Sequence, residues 1–309
     1  MILNPLTNKK VKKIVNVYQL VFTNQKSPGF GDFLRGSFFL MQLAKILNLE
    51  FEIDISNHPI SKFVINNGLN PKIKYNNIEF KYGMNRPSPD KLLYTLNPPN
   101  DMFFEIDFIN QIISELNKSN TECFPLFSNA FPMYYNFKDE GREYIKSQLL
   151  PNEMMIKYID DTFDQLKLEK NAYAVLHLRT GDQYLSKNEV IDRNFINKIN
   201  KHIDGMIVPG KKYLILSDNT ILKTYLANRP NFYVLLNKIE HLGGEISIKG
   251  QENDVIKDND AVKNTMLEFY LMSFSNSILS MSTYDHISGF SKYCAEIFNI
   301  PFKNIKIKV

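Results

Sequence analysis

Three turns in this 309-residue chain combine residue types able to hold an anion. One of them, His177-Leu-Arg-Thr-Gly-Asp182, ends an apolar run that starts at Tyr173 and reads as a buried strand. Alternation puts His177 and Arg179 on one side of such a strand, and Gly181 permits a sharp exit. An arginine buried at a strand end is costly unless a carboxylate or an anion meets it. Two readings follow: a structural ion pair, with Asp182 as the candidate partner, or a phosphate gripped by the guanidinium fork. Only six arginines occur against a background rich in lysine and asparagine. A retained arginine therefore points to a need for that planar fork.

A second turn follows the apolar stretch 277–281, where a hydroxyl-rich loop leads through Ser288-Gly-Phe-Ser291 into a helical pattern. Ser288, Gly289 and the next N–H groups form an anion site at a helix N-terminus, or Ser288 simply caps the helix. The third turn is Gly29-Phe-Gly-Asp32, between a strand and a helix. Gly29 and Gly31 allow backbone to approach a ligand closely, or merely form a tight turn. Asp32 either caps the helix or faces a substrate hydroxyl. The turn lacks the third glycine of a dinucleotide fingerprint and the Gly-Lys-Ser/Thr of a P-loop. The first two turns together suggest a diphosphate held by one arginine and one helix end.

The elements that must position these turns alternate. Residues 13–23 read as a strand, 33–47 as a helix and 50–55 as a strand, which makes a βαβ unit and hence a parallel sheet. Residues 57–100, rich in Asn, Pro and Lys, carry short strand-like pieces, and helical patterns follow at 103–116, 137–150 and 151–168. From residue 172 the alternation restarts, with strands at 172–178, 212–216, 232–236 and 277–281 and helices at 193–207, 220–228, 261–274 and 290–298. The fold class is α/β, in two domains, 1–155 and 156–309. In such folds ligands bind beyond the carboxyl ends of strands, where the three turns fall.

Composition excludes several classes. At 44% hydrophobic and 23% charged residues the chain is globular rather than disordered. A net charge of +4 is too small to indicate a nucleic-acid partner, and the lysine runs at 9–13 and 303–308 read as solvated ends. No apolar run reaches the ~18 residues of a membrane span. The polar opening does not resemble a signal peptide, so a cytoplasmic location is expected. Cys123 and Cys294 form neither a disulfide framework nor a zinc spacing. Asp258-Asn-Asp260 has the form of a metal-binding D-x-D but follows a polar stretch, so it reads as a helix cap. His58, His202, His241 and His286 have no metal-ligand spacing and read as surface or loop residues.

The ordered set of turns carries a resemblance. His177-x-Arg179-x-Gly181-Asp182 resembles the H-x-R-x-G-D signature of the fucosyltransferase superfamily, which includes α1,2-, α1,6- and protein O-fucosyltransferases. Gly29-Phe-Gly-Asp32 is similar to its amino-terminal glycine motif, and Tyr213-Leu-Ile-Leu-Ser-Asp218 to its strand ending in Ser/Thr-Asp. Ser288-Gly-Phe-Ser291 resembles its phosphate motif, and the stretch containing Glu268 resembles the helix whose acidic residue reads guanine. The resemblance implies a GT-B-like fold, two facing Rossmann-like domains with parallel sheets, the nucleotide being held by the carboxyl-terminal one. It also implies GDP-fucose as donor, a glycan acceptor, inversion at the sugar carbon, and no obligatory metal or other cofactor.

Carried over residue by residue, Arg179 neutralises the β-phosphate of the leaving group, and His177 and Glu268 meet the guanine. Ser288, Gly289, Phe290 and Ser291 bind phosphate, and Asp182, Asp218, Gly29 and Gly31 complete the nucleotide site. One branch places a catalytic carboxylate near position 187, which here is Lys187, with Glu189 out of register. Another branch draws its catalytic group from the glycine motif, which favours Asp32 over Asp182 as the base. Two alternatives stand beside this reading: a different GDP- or UDP-sugar donor, and a non-catalytic nucleotide- or glycan-binding module.

Overall fold

A computed structural model describes residues 3–22, 25–26, 29–65, 102–133, 139–181, 193–243, 258–283 and 287–307. β1 (Lys13–Val17) is the middle strand of a parallel sheet in the order β4-β1-β5, flanked by β4 (Glu50–Asp54) and β5 (Cys123–Leu126). Past Val17 the expected long strand breaks, and β2 (Val21–Phe22) and β3 (Gln25–Lys26) form a short antiparallel ribbon. At the break the Tyr18 ring turns inward, stacking on Phe33 at 4.4 Å and on His58 at 4.0 Å. An apolar run interrupted only by Asn16 and Gln19 does not reveal such a turn. β5 carries Pro125, a residue that reads against a strand but is tolerated at a sheet edge.

α1 (Phe30–Ile46) buries Phe33, Leu34, Phe38, Phe39 and Leu43, so it is apolar on more than one face. Such a helix must be covered on more than one side. α2 (Met102–Lys118), α3 (Asp139–Gln148) and α4 (Glu153–Leu166) complete the first part of the chain. The side chain of Asn152 caps α4 by accepting from the Met155 N–H at 3.0 Å. The domain boundary expected after residue 155 falls inside α4.

The second sheet holds five parallel strands in the order β10-β9-β6-β7-β8. They are β6 (Ala174–Arg179), β7 (Tyr213–Ser217), β8 (Phe232–Val234), β9 (Ser277–Ser282) and β10 (Phe302–Lys306). Around them lie α5 (Arg193–Asp204), α6 (Thr220–Leu226), α7 (Asn259–Ser273) and α8 (Gly289–Phe298). β10 corrects the reading of the lysine-rich end as solvated tail: it pairs with β9 along its length, and its lysines sit on an edge strand, where charge suits an unpaired side. The winding reverses at β6, with β7 and β8 to one side and β9 and β10 to the other. The gap beyond the carboxyl ends of β6 and β9 is therefore the topological switch point, where doubly wound sheets bind ligands.

One apolar cluster runs through both parts of the chain, joining Tyr18, Phe33 and Phe38 to Val175, Phe269 and Tyr293. Its seam is the crossing of α1 and α8. A methyl group on Gly31 would lie 2.2 Å from the Gly289 carbonyl carbon and 2.3 Å from the Phe290 nitrogen. Both atoms belong to backbone and cannot swing aside. Gly31→Ala is expected to cost at least ~1–3 kcal/mol in urea unfolding, as overpacked sites do. Gly205→Ala serves as the control, because its nearest neighbour would be 3.6 Å away, and it should stay within about 0.5 kcal/mol of the parent.

Candidate active site

At the end of β6 the Arg179 Nη1 donates to Asp218 Oδ2 at 2.7 Å. Asp218, the residue after β7, also accepts from the Thr180 N–H at 2.8 Å, the Thr180 hydroxyl at 2.7 Å and the Gly181 N–H at 2.8 Å. Gly181 turns the chain with φ of 147°, a conformation that favours glycine. Asp218 is thus a buried carboxylate satisfied by the turn beside it, and it fixes both that turn and the guanidinium. The arginine does stand in an internal ion pair, with Asp218 as its acid. Asp182, Lys187 and Glu189 lie outside the described residues. The Arg179 side chain keeps 19% exposure, against 3% for Asp218. Its own carbonyl accepts from the Thr283 N–H at 3.3 Å, which ties the β6 exit to the β9 exit.

His177 lies two residues back on the same side of β6 and is buried. Burial pushes its imidazole down to about 4; Asp218 pulls against that and Arg179 adds to it. The ring is neutral at pH 7, and its Nδ1 is buried with no hydrogen-bond partner among the described residues. Glu268, on α7, accepts from Lys223 Nζ of α6 at 3.1 Å, with neither side chain more than 5% exposed. Burial raises the Glu268 carboxyl, while Lys223 lowers it and Asp218 adds to the rise. Lys223 is the member of this wall that sequence reasoning missed. A lysine inside a short amphipathic helix reads as solvated, and only the tertiary contact identifies it.

The N-terminus of α8 closes the switch point. Ser288 is its N-cap residue, yet its hydroxyl makes no capping hydrogen bond, so simple serine capping does not account for it. The Ser291 hydroxyl meets that of Ser280 in β9 at 3.0 Å and acts as a strut between helix and sheet. The Phe290 ring stands 6.0 Å from that of His177 and 5.5 Å from that of Phe269.

Against this end lies the start of α1. Its N-cap, Gly29, brings no side-chain cap either. Gly31 faces the Gly289 backbone, so its missing side chain serves the helix crossing. Asp32 Oδ1 is held by Arg35 Nη2 at 3.0 Å. Arg35 is itself fixed by the Asn129 carbonyl at 2.6 Å and lies over the Phe131 ring at 4.2 Å. The first N–H groups of a helix have no intrahelical acceptor, and two such ends converge here. Their dipoles favour an anion between them.

Other expectations resolve plainly. Asp258 caps α7, accepting from the Asp260 N–H at 3.0 Å. His58 lies in a bend, as expected of a loop residue, but it is buried, as is Leu242, which corrects the surface alternative. His286 lies outside the described residues. Among the described residues no three His, Cys, Asp or Glu side chains cluster as metal ligands, and no helix is long and apolar enough to cross a membrane.

No family model and no curated protein matches the chain. Solved structures resemble it over most of its length. An Arabidopsis thaliana FUT1 mutant in complex with GDP aligns over 97% of this chain and 71% of that one, at 11% identity and a TM-score of 0.53. The fucosyltransferase NodZ from Bradyrhizobium aligns over 96% of each chain, at 13% identity and a TM-score of 0.48. POFUT1 in complex with GDP covers 100% of each, at 12% identity and a TM-score of 0.42. The chain has the α/β, GT-B-like fold, in agreement with the expectation from its motifs.

Two measurements probe the wall. Removing one partner of a buried ion pair strands the other, so Glu268→Ala should lose ~3–5 kcal/mol in urea unfolding. The double change Lys223→Met with Glu268→Leu should recover most of that loss. For His177, the unfolded imidazole takes up a proton below about 6.5 and the folded one only near 4. Its contribution is complete above pH 7 and is lost as pH falls through 6.5 towards 4. Between pH 7.5 and 5 the parent should lose ~2 kcal/mol more stability than His177→Gln.

Proposed function

We propose that this protein is an inverting glycosyltransferase that moves fucose from GDP-fucose to a glycan hydroxyl. One observation carries the reading. At the switch point of the second sheet, Arg179 ends β6 beside Ser282 of β9, His177 two residues back faces Phe290 of the uncapped α8 start at 6.0 Å, and the uncapped start of α1 packs on Gly289. That arrangement suits a diphosphate. The shared fold, seen in a plant fucosyltransferase solved with GDP, supports the donor class.

In this reading residues 156–309 bind the nucleotide and residues 1–155 serve the acceptor. The acceptor oxygen attacks the sugar carbon from the face opposite the diphosphate. The bond from that carbon to the β-phosphate oxygen breaks, and its electron pair leaves with GDP. Arg179 and the two helix ends stabilise the charge that develops there. Asp32 takes the proton of the acceptor hydroxyl. The Nδ1 of His177, without a hydrogen-bond partner among the described residues, supports a nucleobase contact. Glu268 is assigned with it to guanine, its Oε1 already accepting from Lys223. Asp218 acts by holding Arg179 and the Gly181 turn. The positive charge comes from the chain itself, so the step as written uses no metal.

Calorimetric titration with GDP, GDP-fucose and UDP, together with turnover of the donor, tests the reading. Arg179→Ala should lower turnover ~10²–10³-fold, the size of effect seen when one donor to a developing anion is removed. Arg179→Lys should recover only part, since an ammonium lacks the fork. Binding of UDP but not GDP would move the donor to another sugar nucleotide. Binding of GDP with no turnover would make the protein a binding module.

A further inference from the structure

The segment after β8 is pinned on both sides of one histidine. On one side the Glu240 N–H donates to the Thr265 hydroxyl of α7 at 2.9 Å. On the other, the buried Leu242 carbonyl accepts from the Tyr18 hydroxyl at 2.8 Å and pairs with His58 Nε2 at 2.9 Å. The Ile60 N–H donates to His58 Nδ1 at 3.2 Å, which leaves the proton on Nε2. Tyr18 and His58 belong to the first sheet's side of the molecule, so these bonds draw 240–243 across to it.

Held between those anchors, His241 meets the start of α1. The Gly243 N–H donates to its Nδ1 at 3.2 Å, so the neutral ring carries its proton on Nε2. A methyl group on Gly29 would lie 3.2 Å from that Nε2 and 4.0 Å from Asp32 Oδ2. Gly29 has φ of −65° and ψ of 159°, angles open to any residue. Its bare Cα is a matter of space, and the atom that borders that space most closely is the imidazole Nε2. Asp32 therefore stands between two groups: Arg35 holds Oδ1, and Oδ2 borders the gap that His241 Nε2 also lines.

We infer that His241 is a positioning residue for Asp32, donating from Nε2 to the carboxylate that receives the acceptor's proton. The inference rests on the transferase reading above. It follows the logic by which a catalytic base is oriented by a third group. The proton on Nε2 stays where it is throughout, and the one taken from the acceptor hydroxyl ends on Asp32.

Amide substitutions separate this role from a structural one. In His241→Gln the amide nitrogen falls where Nε2 lies, whereas in His241→Asn the amide occupies the Nδ1 position and keeps only the contact to Gly243. With GDP-fucose and a glycan acceptor, His241→Asn should lose ~10²-fold in kcat, the cost of a misplaced catalytic group. His241→Gln should recover most of the turnover, and the Kd for GDP should stay unchanged in both. Gly29→Ala, which pushes the ring back, should lower kcat in the same direction and covers the case in which the Asn variant does not fold. If Asn matches or exceeds Gln, or if both match the parent, the role of His241 is wrong while the transferase reading stands. A parent chain that turns over no sugar nucleotide overturns both.

Discussion

Two helices in this molecule begin against each other. α1 and α8 cross at Gly31 and Gly289, where neither chain carries a Cβ and backbone meets backbone. The approach brings two positive dipole ends together, which is unfavourable on its own. It is held by the aromatic core around it, where the Phe30 ring meets those of Phe269 and Phe290, and Phe38 meets Tyr293. Burial of such rings is worth several kcal/mol in total, at ~1.5–3 kcal/mol per side chain. Apolar packing thus maintains an arrangement that negative charge relieves, and Asp32 in the first turn of α1 is one such charge.

Among the described residues the wall beneath that junction is formally neutral. Arg179 is balanced by Asp218 and Lys223 by Glu268, and burial keeps His177 uncharged. Each pair hydrogen-bonds within the fold, so no lone charge is stranded in a low dielectric. In the proposed function the attraction for an anion then falls to the helix ends and to the partly exposed edge of the guanidinium. Asp218 matters to this because its carboxylate is saturated by Thr180 and Gly181 as well as by Arg179. It locks the orientation of the arginine to the geometry of the turn.

The start of α1 is built with comparable redundancy. Arg35 reaches Asp32, the Asn129 carbonyl and the Phe131 face at once, and the 240–243 segment is held from both α7 and the first sheet's side. The two ends of the gap are thus carried by elements that pack against a common core.

Much of this was legible in the chain alone. Periodicity located the helices and the buried strands, because a strand covered on both faces must be apolar along most of its length, as β6 and β7 are up to their carboxyl ends. The turns bearing Arg179, Ser288 and Gly29 stood out because their residue types fit nothing but strand ends and helix starts. β5 escaped because proline masks a short edge strand, and β10 because lysines mask another. What only the tertiary structure decided is pairing at long range. Asp218 rather than Asp182 meets Arg179, Lys223 meets Glu268, Gly31 meets Gly289, and His241 meets Gly29. Local pattern reports which face a residue shows, but the partner on that face comes from a distant segment, and its identity is set by how the two sheets pack.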